Sequence, residues 1–188
     1  MKIMLKNVRI AFPALAVPQA FGEGEPAYGA KLVIVPKSEN EKVLDDAIAA
    51  EAKDKWKDKA GDVLKMLLED KKVAFVKGVY RSKKTGEAYA GFENAYHLSA
   101  RNAKTKPTVY DRFGNELAER ADIERVIYSG CYVNASVDIW AQDNKWGRRV
   151  NCSLRGLMFA ADGENFGGSS TASADEFKDF AASADEFL

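Results

Sequence analysis

Histidine and cysteine are almost missing from this chain of 188 residues, which holds one histidine, His97, and two cysteines, Cys131 and Cys152. Those three side chains do not fill the four positions of a structural zinc site without carboxylates. A lone histidine also leaves little for catalytic schemes built on imidazole. No Walker phosphate loop or dinucleotide glycine fingerprint is present. No apolar run approaches the ~20 residues of a membrane helix. The opening Met1-Lys2-Ile3-Met4-Leu5-Lys6 puts charge where a signal peptide needs its apolar core. The expectation is therefore a protein with no enzymatic activity, no metal, no cofactor and no membrane span, kept in a reducing cytosol.

Net charge is missing too, but only as a sum: 28 basic residues meet 28 acidic ones. From Asp162 to Leu188 there are seven acids and one base, a net of −6, while residues 1–161 carry +6 and residues 71–161 alone carry +7. This is a basic body with an acidic tail. Hydrophobic residues at 46% and a length suited to one domain bound the body to residues 1–161, with residues 162–188 as a flexible acidic tail.

Along the body, Lys2 to Phe12 reads as a strand ended by Pro13, and residues 13–27 as a loop. Tyr28 to Val35 reads as a second strand. Ser38 with Glu41 makes a capping box, opening a helical insertion over residues 38–70 whose ten acids and six bases set it apart from the basic body. Val73 to Tyr80 reads as a strand, Arg81 to Gly86 as a basic turn, Tyr89 to Arg101 as the returning strand, and Pro107 to Tyr110 as a short one. In Cys131 to Trp140 the odd positions are all apolar and the even ones polar or amphipathic, so one face is core and the other faces out. Arg149 to Arg155 alternates in the opposite phase. A hairpin turning near Asn144–Trp146 puts both apolar sets on one face, with Trp140 opposite Arg149 or Asn151 and Cys152 opposite Val137 or Ile139. The two cysteines then stand roughly 20 Å or more apart, beyond disulfide reach. The fold class this implies is mainly β or α+β, closed as a small antiparallel barrel.

Single-stranded DNA offers a line of phosphates and a row of base faces, so a groove combining Lys and Arg with aromatics binds it without reading sequence. Three clusters fit: Tyr132, Trp140, Trp146, Arg148, Arg149 and Arg155 on the last hairpin; Tyr80, Arg81, Lys83, Lys84 and Tyr89 around the basic turn; and Tyr110, Arg112 and Phe113. Against this stands the ordinary use of aromatics in packing and of surface bases in solubility. Asp111, Glu116, Glu119, Asp122 and Glu124 read as a solvated, partly helical connector rather than a magnesium cluster.

The tail opens on a linker, Phe166 to Thr171. It then repeats itself: Ala-Ser-Ala-Asp-Glu-Phe occurs at 172–177 and again at 182–187, with Phe180 between. A tail serving solubility alone has no need of Phe177, Phe180 and Phe187. Aromatics beside Asp175, Glu176, Asp185 and Glu186 suit docking in a basic, apolar pocket, on a partner or in the chain's own groove.

The stretches Leu5 to Pro13, Pro107 to Asp111, Tyr128 to Ala135 and Arg155-Gly156-Leu157 together resemble a family of phage-encoded single-stranded DNA-binding proteins, similar in architecture to the OB-fold replication proteins of short-tailed phages. The resemblance implies an OB-fold-like barrel that coats single strands during phage replication or recombination in the host cytoplasm. It also implies a tail that contacts DNA polymerase or other replisome proteins, and leaves a homodimer open. The helical segment 38–70 and the doubled Asp-Glu-Phe unit depart from that pattern. The alternative is a phage structural or adaptor protein using the tail as a docking peptide.

Overall fold

The computed structural model describes residues 1–20 and 24–167. In chain order the elements are β1 (Lys2–Gln19), β2 (Ala27–Ile34), α1 (Glu39–Trp56), α2 (Ala60–Glu69), β3 (Phe75–Val76), β4 (Tyr96–Asn102), β5 (Thr108–Tyr110), α3 (Arg120–Val126), β6 (Tyr132–Asn144) and β7 (Gly147–Ala161). Among the described residues the strands form one sheet of seven, ordered β3-β4-β2-β1-β6-β7-β5.

The sheet closes on itself through residues 72–76. On one side Ser99 donates to the Ala74 carbonyl at 3.0 Å, and Phe75 pairs with Leu98. On the other side Ala74 donates to the Val150 carbonyl at 2.8 Å, and Val150 to the Lys72 carbonyl at 3.1 Å. One short segment thus bonds to β4 and β7 together, which joins opposite sides of the sheet into a barrel. Inside lie Leu5, Ile10, Leu32, Ile34, Leu98, Val133, Val137 and Leu154, all buried. Helices α1 and α2 lay Leu44, Ala47, Ile48, Trp56, Val63 and Leu67 on that same core. Ser38 caps α1 by accepting from the Glu41 amide at 3.3 Å. The reciprocal half of the capping box is displaced by one residue, with the Glu41 carboxylate accepting from the Lys37 amide.

The alternation in the last hairpin is realised. Cys131, Val133, Ala135, Val137 and Ile139 are buried, and Tyr132, Asn134, Ser136, Asp138 and Trp140 are not. Lys145 and Trp146 make the turn, Trp140 pairs with Asn151 and Ile139 with Cys152, and both cysteines are free and buried. The pairing then shifts at Arg155: Val137 faces Leu154 but Ser136 faces Gly156. This bulge reverses the phase of β7, so Leu157 and Phe159 turn inward where even-numbered residues had done so before. β7 therefore runs six residues beyond the expected end at Arg155.

Three expectations are corrected. β1 does not stop at Pro13 but continues to Gln19, with its register shifting between Ala11 and Ala14. Proline has no amide to give a ladder, and a bulge is where none is required. The strand expected over Val73 to Tyr80 is reduced to Phe75–Val76, and the returning strand begins at Tyr96 instead of Tyr89. Residues 77–95 instead fold back over the outer face of the barrel. There Phe92 and Ala95 bury against Ala11 and Val33, with Tyr80, Tyr89 and Phe166 packed around them. That second apolar cluster outweighs the pairing that an extended hairpin would have supplied.

Candidate nucleic-acid interface

The period of two along each strand decides what faces out. On β2 the inward residues are Ala30, Leu32 and Ile34, which leaves Lys31 outward. On β4, Leu98 and Ala100 point in, and His97, Ser99 and Arg101 out. On β6 and β7 the outward set includes Trp140, Gln142, Arg149, Asn151 and Ser153. These faces meet across the 72–76 segment and enclose a groove of about 1190 Å³. Among the described residues its lining holds Lys31, Lys71, Lys72, Lys77, Lys83, Arg101, Lys104 and Arg149 against a single acid, Glu25. Not all of that charge is available to a ligand. Lys77 is held by Glu41 at 2.8 Å and Asp45 at 2.6 Å, and Lys72 by Asp70 at 2.8 Å.

At the groove floor Lys31 donates to the Ser99 hydroxyl, and its ammonium lies 4.3 Å from the centre of the Tyr80 ring. Burial, with the nearby Arg101 charge, pushes the Lys31 amine down to about 8. His97 sits behind it between Tyr80 and Phe92, and its Nδ1 has no hydrogen-bond partner among the described residues. Burial, then the Lys31 charge, pushes the imidazole down to about 4, so at neutral pH it is uncharged.

Of the residues singled out from the sequence, Tyr80, Lys83, Trp140 and Arg149 line this groove. Trp140 is 40% exposed and its indole donates to Ser153 at 3.0 Å, which fixes the ring across the β6–β7 face. Trp146, at the hairpin tip, is 76% exposed. The tip is tied to α1 through Asp143, which accepts from the Trp56 indole at 2.8 Å and from Arg148 at 3.1 Å. Tyr80 and Tyr89 stack at 4.9 Å, and the Arg81 guanidinium closes the basic turn on the Gly86 carbonyl at 3.2 Å, leaving Lys83 and Lys84 exposed on it.

The other candidates lie elsewhere. Tyr110 and Arg155 border a smaller hollow of about 290 Å³ with Met4 and Met158. Arg112 lies 5.1 Å over the Phe159 ring and 3.9 Å from Asp162, and Phe113 stands 82% exposed beside it on the same turn. Tyr132 lies under the Arg9 guanidinium at 5.5 Å. Three of the five connector acids are engaged locally: Glu124 with Arg120, Asp122 with Arg125, and Asp111 with the amides of Phe113 and Asn115.

Lys31, Arg101 and Lys104 line the groove without belonging to any of the three sequence clusters. The outward phase of Lys31 in Ala30-Lys31-Leu32 is the one signal that marks it. The start of the tail also departs from expectation. Phe166, which composition assigns to the linker, packs 4.1 Å beneath the Arg9 guanidinium, and its ring fills the space where a side chain on Gly91 would stand. Gly91, at φ 83°, is thus required twice over, for its backbone and for the ring. The tail residues Asp175, Glu176, Phe177, Phe180, Asp185, Glu186 and Phe187 lie outside the described residues.

The family model of the Enterobacter phage Enc34 ssDNA-binding protein matches residues 1–188. The chain belongs to this family. Among solved structures it is similar to the single-stranded DNA-binding protein of bacteriophage Enc34 in complex with ssDNA, at 25% identity and a TM-score of 0.70, over 88% of this chain and 89% of that one. The gp2.5 single-stranded DNA-binding protein of bacteriophage T7 shares the fold at 13% identity and a TM-score of 0.51, over 92% and 98% of the two chains. A relative at 37% identity, spanning 100% of this chain and 98% of its own length, is the putative protein p50 of Acyrthosiphon pisum secondary endosymbiont phage 1. The OB-like barrel implied by the sequence resemblance is the fold observed. No helix among the described residues is long and apolar enough to cross a membrane.

Proposed function

We propose that this chain binds single-stranded DNA without sequence preference, along the groove between β2–β4 and β6–β7, in phage DNA replication or recombination in the host cytoplasm. The observation that carries this reading is the lining of the groove, with eight bases to one acid and Trp140 and Tyr80 among them. Phosphates meet Lys31, Lys83, Lys104 and Arg149, each contact releasing a condensed counterion. Bases pack against Trp140 and the hairpin-tip Trp146, a contact that tolerates any base because each has a π-face. Membership of a family named for ssDNA binding supports the same assignment. No step of this function requires bond making or breaking.

The tail recruits a replication protein such as DNA polymerase through its two Asp-Glu-Phe units and competes with DNA for the groove. Its root at Phe166 packs on the same Ala11, Val33, Phe92 and Ala95 cluster as Tyr80, a residue that lines the groove. Phe177 follows eleven residues later, a reach of up to ~36 Å. Titrating labelled oligo-dT with the full chain and with a chain lacking 172–188, over a range of salt, tests both parts. Tight binding that weakens steeply with salt is expected, and it strengthens on deletion. Affinity indifferent to salt, or equal affinity for duplex, would overturn the DNA assignment. An unchanged affinity on deletion would overturn the competition, and an absence of any DNA affinity would favour the adaptor reading.

A further inference from the structure

One exposed aromatic outside the groove is held in a conformation its sequence disfavours. Phe12 is 39% exposed at the β1 bulge, with φ of 51°. Bulky side chains rarely take positive φ, and a residue that precedes proline, as Phe12 precedes Pro13, is normally extended. Its neighbours impose the geometry. The Ser129 hydroxyl accepts from the Phe12 amide at 3.1 Å, and Ile10 on the strand before it is bonded to Cys131 at 3.1 Å and to Gly130 at 2.7 Å. Unfavourable backbone of this kind persists where the surroundings over-determine it, and it concentrates at ligand-binding positions.

The ring so placed meets Tyr89 nearly at right angles at 5.1 Å and Tyr80 at 6.2 Å. Tyr80 lines the groove with Lys83, and both tyrosines are half-buried, stacked on each other. Phe12 is the exposed member of the trio. A ring needed only to pack residues 77–95 on the barrel would be buried in them, as Phe92 is. Lys83 and Lys84 stand on the turn that leads from Tyr80.

We propose that Phe12 is a base-stacking residue that carries the single strand out of the groove past Tyr80. A nucleobase leaving the groove packs on the Phe12 ring while the adjoining phosphates meet Lys83 and Lys84. The ligand is the π-face of any base, since the ring offers no hydrogen bond with which to choose among the four. This inference rests on the ssDNA reading above and adds a contact outside the groove.

A ladder of oligo-dT lengths, titrated against the wild type, Phe12→Leu and Phe12→Tyr, tests it. Wild-type affinity rises by a step of roughly tenfold once the strand reaches Phe12. The leucine variant, which keeps the apolar packing but has no π-face, lacks the step, and the tyrosine variant retains it. A second measurement needs no substitution: strands carrying 5-iododeoxyuridine cross-link to the peptide containing Phe12. A leucine variant that climbs with length as the wild type does, or cross-links confined to Trp140 and Trp146, would overturn the proposal. A wild type that binds no oligo-dT of any length would instead remove the ssDNA reading on which it stands.

Discussion

The groove side of the barrel and its helical side are built from the same core and carry opposite electrostatics. α1 and α2 turn Leu44, Ile48, Val63 and Leu67 inward and present an exterior in which residues 38–70 hold ten acids to six bases. Among the described residues the groove lining holds eight bases and one acid, gathered from four separate stretches of chain, with Lys72 and Lys77 paired to acids outside it. A polyanion is attracted to one side and repelled by the other, which under the proposed function would steer a strand to the groove before any contact forms. The two sides are also coupled. Lys77 leaves the groove wall to pair with Glu41 and Asp45 on α1, and Asp143 joins Trp56 of α1 to the hairpin tip. The helices thus shape the groove's rim while staying out of it.

Charge reversal tests the contrast most severely. Lys31→Glu with Arg149→Glu should weaken oligo-dT binding on the order of 1,000-fold and lower the salt slope by ~0.7 for each phosphate no longer neutralised. Asp46→Asn with Asp58→Asn on the helical side should move affinity by no more than about twofold. Equal effects in an anisotropy titration would erase the distinction between the two sides.

Next in size, the two sides should lose stability in different pH windows. Below its ordinary value of 6.5 the unfolded His97 takes a proton that the folded chain refuses until about pH 4. Stability is therefore complete above 6.5 and falls through that window, by about 2–3 kcal/mol. His97→Gln should flatten the dependence in denaturant melts. On the helical side, the hydrogen bond from Lys77 holds the Glu41 carboxyl below its ordinary 4.5, so that contribution is lost only at more acid pH. A wild-type profile that is flat from pH 7 to 4.5 would count against the buried, neutral His97.

A smaller effect concerns DNA affinity in mild alkali. With its amine at about 8 in the free protein, Lys31 loses its charge as pH rises, and binding a phosphate restores it. Affinity should fall roughly tenfold between pH 7 and 9, and Lys31→Arg should abolish the fall, because arginine stays charged. Persistence of the fall in the arginine variant would assign it to another group. The smallest change expected is at Phe113. Phe113→Ala should alter affinity by less than about twofold, whereas Trp140→Ala should cost roughly tenfold. Equal losses would extend the DNA path to the smaller hollow beside Tyr110 and Arg155.

What is legible in the sequence follows the reach of each signal. The hairpin of β6 and β7 is readable residue by residue, because alternation is a local property and the turn at Lys145–Trp146 fixes register without outside help. The bulge at Arg155 is hidden, since only the partner strand shows that two residues face one. Residues 77–95 look like strand because their aromatics favour strands, and tertiary burial of Phe92 takes precedence. The candidate site is half legible: Tyr80, Lys83, Trp140 and Arg149 converge, while Tyr110, Arg112 and Phe113 do not join them.

By itself the sequence determined the inward and outward residues of the β6–β7 hairpin as far as Arg155, the helical insertion, the reduced cysteines and the split of charge between body and tail. All of these depend on residue type and spacing along the chain. Only the tertiary structure decided that Lys31, Arg101 and Arg149 share one groove, that Lys77 belongs electrostatically to α1, and that Phe12 stands exposed beside Tyr80. Those outcomes depend on closure through residues 72–76, where one short segment bonds to two strands at once and brings together residues more than a hundred positions apart.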